Sequence, residues 1–127
     1  MYAIWFKEGC QTTRIAPSGA RILAAIQTAA QVVKHDLVIT CGCDSHPESD
    51  PHTKGEAFDI RSHDIPPGLK PDVLQAIMRA LQNDLVTDPI LPKDGGFVTQ
   101  QFFGWLELAG EPDEHWHIQQ RNNTVYP

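Results

Sequence analysis

Ile22, Ile26, Ala29 and Val33 recur at three- and four-residue steps within an otherwise small and polar stretch. The spacing predicts an amphipathic helix that starts near Pro17 and lays one apolar face on a sheet. Leu74, Ile77, Met78 and Leu81 repeat the pattern in a second segment that opens with Pro71, a residue suited to a first helical turn. Between the helices, Asp36 to Cys41 is short, apolar and β-branched before Gly42 interrupts it, which predicts a buried strand. Glu56 to Ile60 alternates, placing Phe58 and Ile60 near one face and Ala57 and Asp59 on the other. Phe97 to Leu108 is rich in aromatic and β-forming residues and predicts one long or broken strand, and His115 to Gln119 predicts a short final one.

The segments between these elements are turn-forming. Asp44 to Pro51 carries two prolines, Pro66-Pro67-Gly68 precedes the second helix, and Leu91 to Gly96 and Gly110 to Asp113 frame the long strand region. The order helix, strand, loop, strand, helix, strands predicts an α+β fold, a small and largely antiparallel sheet with helices packed on it. At 127 residues and 41% apolar content the expectation is one domain spanning 1–127.

Charge narrows the partners. A formal net charge of −6, with no lysine or arginine block longer than a pair, argues against nucleic acid, whose nonspecific affinity depends on basic side chains. No apolar run approaches the roughly 20 residues that cross a bilayer, so no membrane insertion is expected. The N-terminal residues show no basic segment followed by a long apolar one, so the chain as given carries no signal peptide and is expected to be cytoplasmic as synthesised. Cys10, Cys41 and Cys43 match no disulfide framework, and the C-x-C pair reads as two small residues at a strand end rather than a thiolate site.

The chemistry concentrates in two short segments, His52 to Asp59 and Glu114 to His117. They supply imidazoles and a carboxylate suited to zinc, and a second carboxylate suited to activating a water. His52 and Asp59 are an odd number of residues apart, so a turn at Lys54-Gly55 is needed to bring both toward one ion. Ala57 leaves space beside Asp59. His115 and His117 share a strand face, while Trp116 turns to the other. A catalytic zinc needs three protein donors and an open position, a count that His52, Asp59 and one of the late histidines satisfy.

The string H-x-x-G-x-A-x-D from His52 to Asp59, followed by E-x-W-H from Glu114 to His117, resembles the zinc D-Ala-D-Ala peptidases. That family includes VanX-like and VanY-like enzymes and phage L-alanyl-D-glutamate endolysins, and shares its fold with the hedgehog signalling domain. The resemblance covers roughly Ile39 to Gln119. It implies a hedgehog/DD-peptidase-like fold, one zinc per chain held by His52, Asp59 and His117, and Glu114 as catalytic base. The implied activity is a metallopeptidase cutting peptidoglycan stem peptides, of the D-Ala-D-Ala carboxypeptidase or L-Ala-D-Glu endopeptidase type. A small acidic chain without a separate wall-binding module fits a phage lysin acting on the cell wall.

Two positions depart from the family pattern. Asp50 stands where a serine is common, and Asp44 stands where an arginine helps bind substrate or steady the oxyanion. An anion in place of that cation weakens both jobs by repulsion. Arg61, His46 and Lys54 are the candidates to replace it, and His115 is a candidate substrate contact. The departure also admits an alternative, a non-catalytic zinc-bearing binding module of the same fold. His35 and His63 read as helix-end and turn residues, and Trp105 and Trp116 as core or cleft walls.

Overall fold

A computed structural model describes residues 1–10, 12, 14–41, 55–81, 97–99 and 101–120. In chain order these form β1 (Ile4–Phe6), α1 (Pro17–Val33), β2 (Leu37–Cys41), β3 (Ala57–Arg61), a 3-10 turn (Pro67–Leu69), α2 (Lys70–Leu81), β4 (Phe97–Val98), β5 (Phe102–Glu107) and β6 (His115–Gln120). The strands make one sheet in the order β1-β2-β3-β6-β5-β4. The α+β expectation therefore holds, and both helices start within a residue of where the periodicity predicts them.

The sheet is mixed rather than purely antiparallel, because β1 runs parallel to β2 at one edge while every other pair is antiparallel. A three-residue strand is too short to show a period, so hydropathy cannot reveal it. A side chain outside the strand supplies the anchor instead. Asp36 Oδ1 accepts the Ala3 N–H at 2.9 Å and Oδ2 accepts the Trp5 indole N–H at 3.3 Å, and these two donors hold the Asp36 carboxyl below the usual range.

The Phe97–Leu108 region is broken into the antiparallel pair β4 and β5. Thr99 makes the break: its N–H donates to the Phe102 carbonyl at 2.7 Å, and its hydroxyl accepts the Phe102 N–H at 2.9 Å. A side chain that satisfies backbone donors locally competes with strand extension at that point.

Alternation along the central strands gives the sheet two unlike faces. Phe58, Ile60, Trp116 and Ile118 are fully or almost fully buried and join Ile22, Ile26, Ile77 and Met78 of the two helices in one apolar core. Gly104 lies on the same side, opposite Ile118, where an added Cβ would stand 2.4 Å from Ile118 Cδ1 and 3.1 Å from Met78 Sδ. The missing side chain lets α2 approach β5 closely. The opposite, open face carries Asp59, Arg61, Trp105, Glu107, His115 and His117. Among the described residues no helix is long and apolar enough to cross a membrane.

Candidate metal centre

The glycine, alanine and aspartate of the first motif each have a structural reason. Gly55 adopts a φ of +70°, and a Cβ there would fall 1.8 Å from the Arg14 carbonyl oxygen. Its own carbonyl accepts the Ala16 N–H at 3.1 Å, and Gly19 of α1 packs against the same group. Two glycines back to back thus fasten the start of α1 to the start of β3. Ala57 is fully buried, and the next residue on its face is Asp59.

Register then brings Asp59 to His117. The two are Cα partners across the β3–β6 pair, and Trp105 of β5 is the partner of His117 on its other side. Asp59 Oδ1 stands 2.9 Å from His117 Nδ1, and Glu107 Oε1 stands 3.4 Å from the same nitrogen. One donor atom each from Asp59, Glu107 and His117 lie within 4.8 Å of one another, a grouping able to hold a metal ion. Donors around a tetrahedral zinc at 2.0–2.1 Å are separated by about 3.3 Å, so the spacing and the nitrogen and carboxylate chemistry both fit.

The hydrogen bonding of His117 also fits. Its Nε2–H donates to Gln119 Oε1 at 2.8 Å, which leaves Nδ1 facing two carboxylates. An imidazole with oxygen acceptors on both sides is satisfied by a cation on the second side, and a divalent ion there would serve all three groups. Trp105 covers the ring, with centroids 4.5 Å apart, and Phe103 stacks on Trp105 at 5.2 Å.

His115 closes the cluster. Its Nε2 lies 3.4 Å from Glu107 Oε1 and 3.7 Å from Asp59 Oδ2. The Glu107 carboxylate pushes the ring up to about 9 against the opposing effect of burial, with smaller help from the Asp113 carbonyl and Asp59.

Glu114 faces a different set of partners. Lys70 Nζ reaches its Oε1 at 2.5 Å and the Ser62 hydroxyl donates to the same oxygen at 2.6 Å, while the Gly110 N–H donates to Oε2 at 2.9 Å. These donors, led by Lys70, hold its carboxyl down to about 2. Glu114 precedes β6 and lies just outside the strand alternation, and it ties the turn after β5 to the start of α2 and the end of β3. The structure thus brings Asp59, His115 and His117 together and places Glu114 in this ion pair, outside the grouping of metal donors. Arg61 stands on the open face opposite His115. His52 and His46, with Asp44 and Lys54, lie outside the described residues.

Glu107 was not singled out by the sequence motifs. The signal available was weak: it is a carboxylate two residues beyond Trp105 in an apolar strand, and only hairpin register shows that it pairs with His115. Comparison with family models, curated proteins and solved structures finds no match for this chain. The resemblance to zinc D-Ala-D-Ala peptidases therefore rests on the two motifs.

Proposed function

We propose that this protein is a zinc-dependent metallopeptidase acting on peptidoglycan stem peptides, at a D-Ala-D-Ala terminus or an L-Ala-D-Glu bond. The observation that carries the reading is the approach of Asp59 and His117 across adjacent strands, 2.9 Å between donor atoms, with Glu107 beside them. The two residues belong to separate motifs, and the distance along the chain between them makes their meeting a property of the fold.

In this reading Asp59 and His117 hold the ion together with His52, and Glu107 stands at the same centre. Bound zinc would polarise a peptide carbonyl and lower the pKa of a water toward roughly 7. Gln119 fixes the His117 tautomer, and Trp105 keeps solvent from one side of the ring. Glu114 is the proton acceptor by its place in E-x-W-H, while Glu107 is the carboxylate nearer the donors. The variants Glu114→Gln and Glu107→Gln decide between them: the base is the one whose loss abolishes turnover while zinc remains bound.

A second reading, a zinc-bearing binding module without turnover, draws on the ion pair that occupies Glu114. Elemental analysis followed by digestion of purified peptidoglycan, with and without chelator, separates the two. About one zinc per chain and chelator-sensitive release of peptide fragments supports the enzyme. Zinc without release supports the module, and no zinc removes both.

A further inference from the structure

β1 forms one edge of the sheet, and its aromatic side chains face water: Trp5 is 59% and Phe6 44% exposed. The parallel ladder fixes which backbone groups point outward. Leu37 N–H donates to the Ala3 carbonyl at 3.1 Å and Lys7 N–H donates to the Ile39 carbonyl at 2.8 Å, so Ala3, Trp5 and Lys7 turn their backbone groups toward β2. Ile4 and Phe6 turn theirs away, and among the described residues nothing pairs with them. Unpaired donors and acceptors along an exposed edge are a template for another strand.

The usable edge is short, and its ends are defined. Tyr2 is already occupied, since its N–H donates to Gln31 Oε1 at 3.0 Å and its carbonyl accepts from Gln27 Nε2 at 3.1 Å. Beyond Lys7 the chain turns at Gly9, which has a φ of +88°. An antiparallel strand that satisfies Ile4 and Phe6 must therefore carry its own outward backbone groups on two residues with the same spacing, and β1 does so. We propose that β1 pairs antiparallel with β1 of a second copy of this chain, Ile4 of each copy opposite Phe6 of the other and the two Trp5 residues facing each other on the two-fold axis.

Charge complementarity selects a second copy over an arbitrary strand. In this register Lys7 of one copy lies across from Ala3 of the other, whose N–H is held by Asp36 Oδ1 at 2.9 Å. Lys7 and Trp5 share a strand face, and Asp36 Oδ2 accepts the Trp5 indole N–H at 3.3 Å. The lysine ammonium thus arrives beside a carboxylate already fixed in place, twice by symmetry. The Trp5 residues meet as a non-hydrogen-bonded pair with Cα atoms about 4.5 Å apart, a spacing that favours aromatic contact. Each Phe6 covers the Ile4 of the other copy, where the apolar core reaches the sheet edge. One short strand buries less than the roughly 800 Å² per partner of a standard interface, so the dimer exchanges with monomer. The pairing is independent of the metal centre, which lies on β3, β5 and β6.

The test is analytical ultracentrifugation of the metal-free protein at about 0.15 M salt, where repulsion between two chains of net charge −6 is screened beyond about 8 Å. A monomer–dimer equilibrium is expected, with a dissociation constant between about 10 μM and 1 mM. Phe6→Pro removes an outward N–H and no bond to β2, and Lys7→Glu sets a carboxylate against Asp36. Each should weaken association at least tenfold, and Lys7→Glu, at an exposed position, should leave the unfolding midpoint of the chain unchanged. Under mild oxidation Trp5→Cys should give a disulfide-linked dimer beyond any formed by the natural chain, whereas Phe6→Cys should not, because only position 5 meets itself across the axis. A natural chain still monomeric at about 1 mM, a dissociation constant unchanged by either Phe6→Pro or Lys7→Glu, or equal crosslinking at positions 5 and 6 overturns the pairing.

Discussion

The two faces of the central strands are built from alternate residues of the same segments, yet they obey different rules. On the helix side, Phe58, Ile60, Trp116 and Ile118 interlock with α1 and α2, and any change of volume is felt as stability. On the open side, Asp59, Glu107, His115 and His117 place carboxylates and imidazoles within 2.9 to 3.7 Å of one another. Such a cluster gains little for folding by itself, and its Asp59, Glu107 and His117 donors form a grouping able to hold a metal ion. The contrast shows a rigid apolar layer holding a polar layer in register, with one residue of strand shift enough to exchange them.

The comparison can be broken most forcefully where both faces depend on one point, the Gly55–Gly19 contact. Gly55→Ala forces a Cβ into the Arg14 carbonyl at a positive φ, and no rotamer relieves it. A loss of about 3 kcal/mol or more is expected in denaturant unfolding, from overpacking and the left-handed backbone together. An unchanged midpoint would show that the contact is not as drawn.

His117→Ala should separate the faces. On the proposed zinc reading it removes a donor, so zinc affinity should fall by more than the roughly 10–100-fold typical of outer partners, as read by chelator competition. Trp116→Ala, one residue away on the helix side, should instead cost about 3–5 kcal/mol of stability and leave the zinc affinity of the folded protein near its natural value. Similar profiles for the two variants would erase the distinction between the layers.

Glu114 sharpens the boundary. Its carboxyl is held at about 2 in the folded chain against 4.5 when unperturbed. Because the folded form binds the proton more weakly, the stabilisation is complete above about pH 4.5 and is lost as the pH falls toward 2. Lys70→Met should reduce stability by about 1–3 kcal/mol at neutral pH and flatten the acid limb of the stability curve in this window. An acid limb identical to that of the natural chain would remove the ion pair from the account.

The smallest effect is expected from Glu107→Gln. Asp59 and His117 remain, so zinc affinity should fall by about tenfold, with no more than roughly 0.5 kcal/mol lost from folding because the side chain is partly exposed. Complete loss of zinc would instead make Glu107 an indispensable donor.

Much of this architecture is legible in the residue pattern. The periodicities of α1 and α2, the alternation of Phe58 and Ile60 against Asp59, and the placement of Trp116 opposite His115 and His117 follow from residue spacing, because burial selects one face of each element. The small β1 strand was hidden because its anchor is the Asp36 side chain, distant in sequence and without periodic signature. The β4–β5 break was hidden because Thr99 acts through local hydrogen bonds that hydropathy does not register.

The motifs alone told which residue types this chain offers to a metal, and the alternation told which of them could share a face. Pairing decided the rest. Asp59 meets His117 and Glu107 meets His115 only through the register of β3, β5 and β6, a long-range choice set by how Gly104, Trp116 and Ile118 pack under the helices. Whether Glu114 faces Lys70 or the metal donors depends on a turn and a helix start that are remote in sequence. Local propensity cannot encode such a choice, because its energy comes from a partner that only folding brings near.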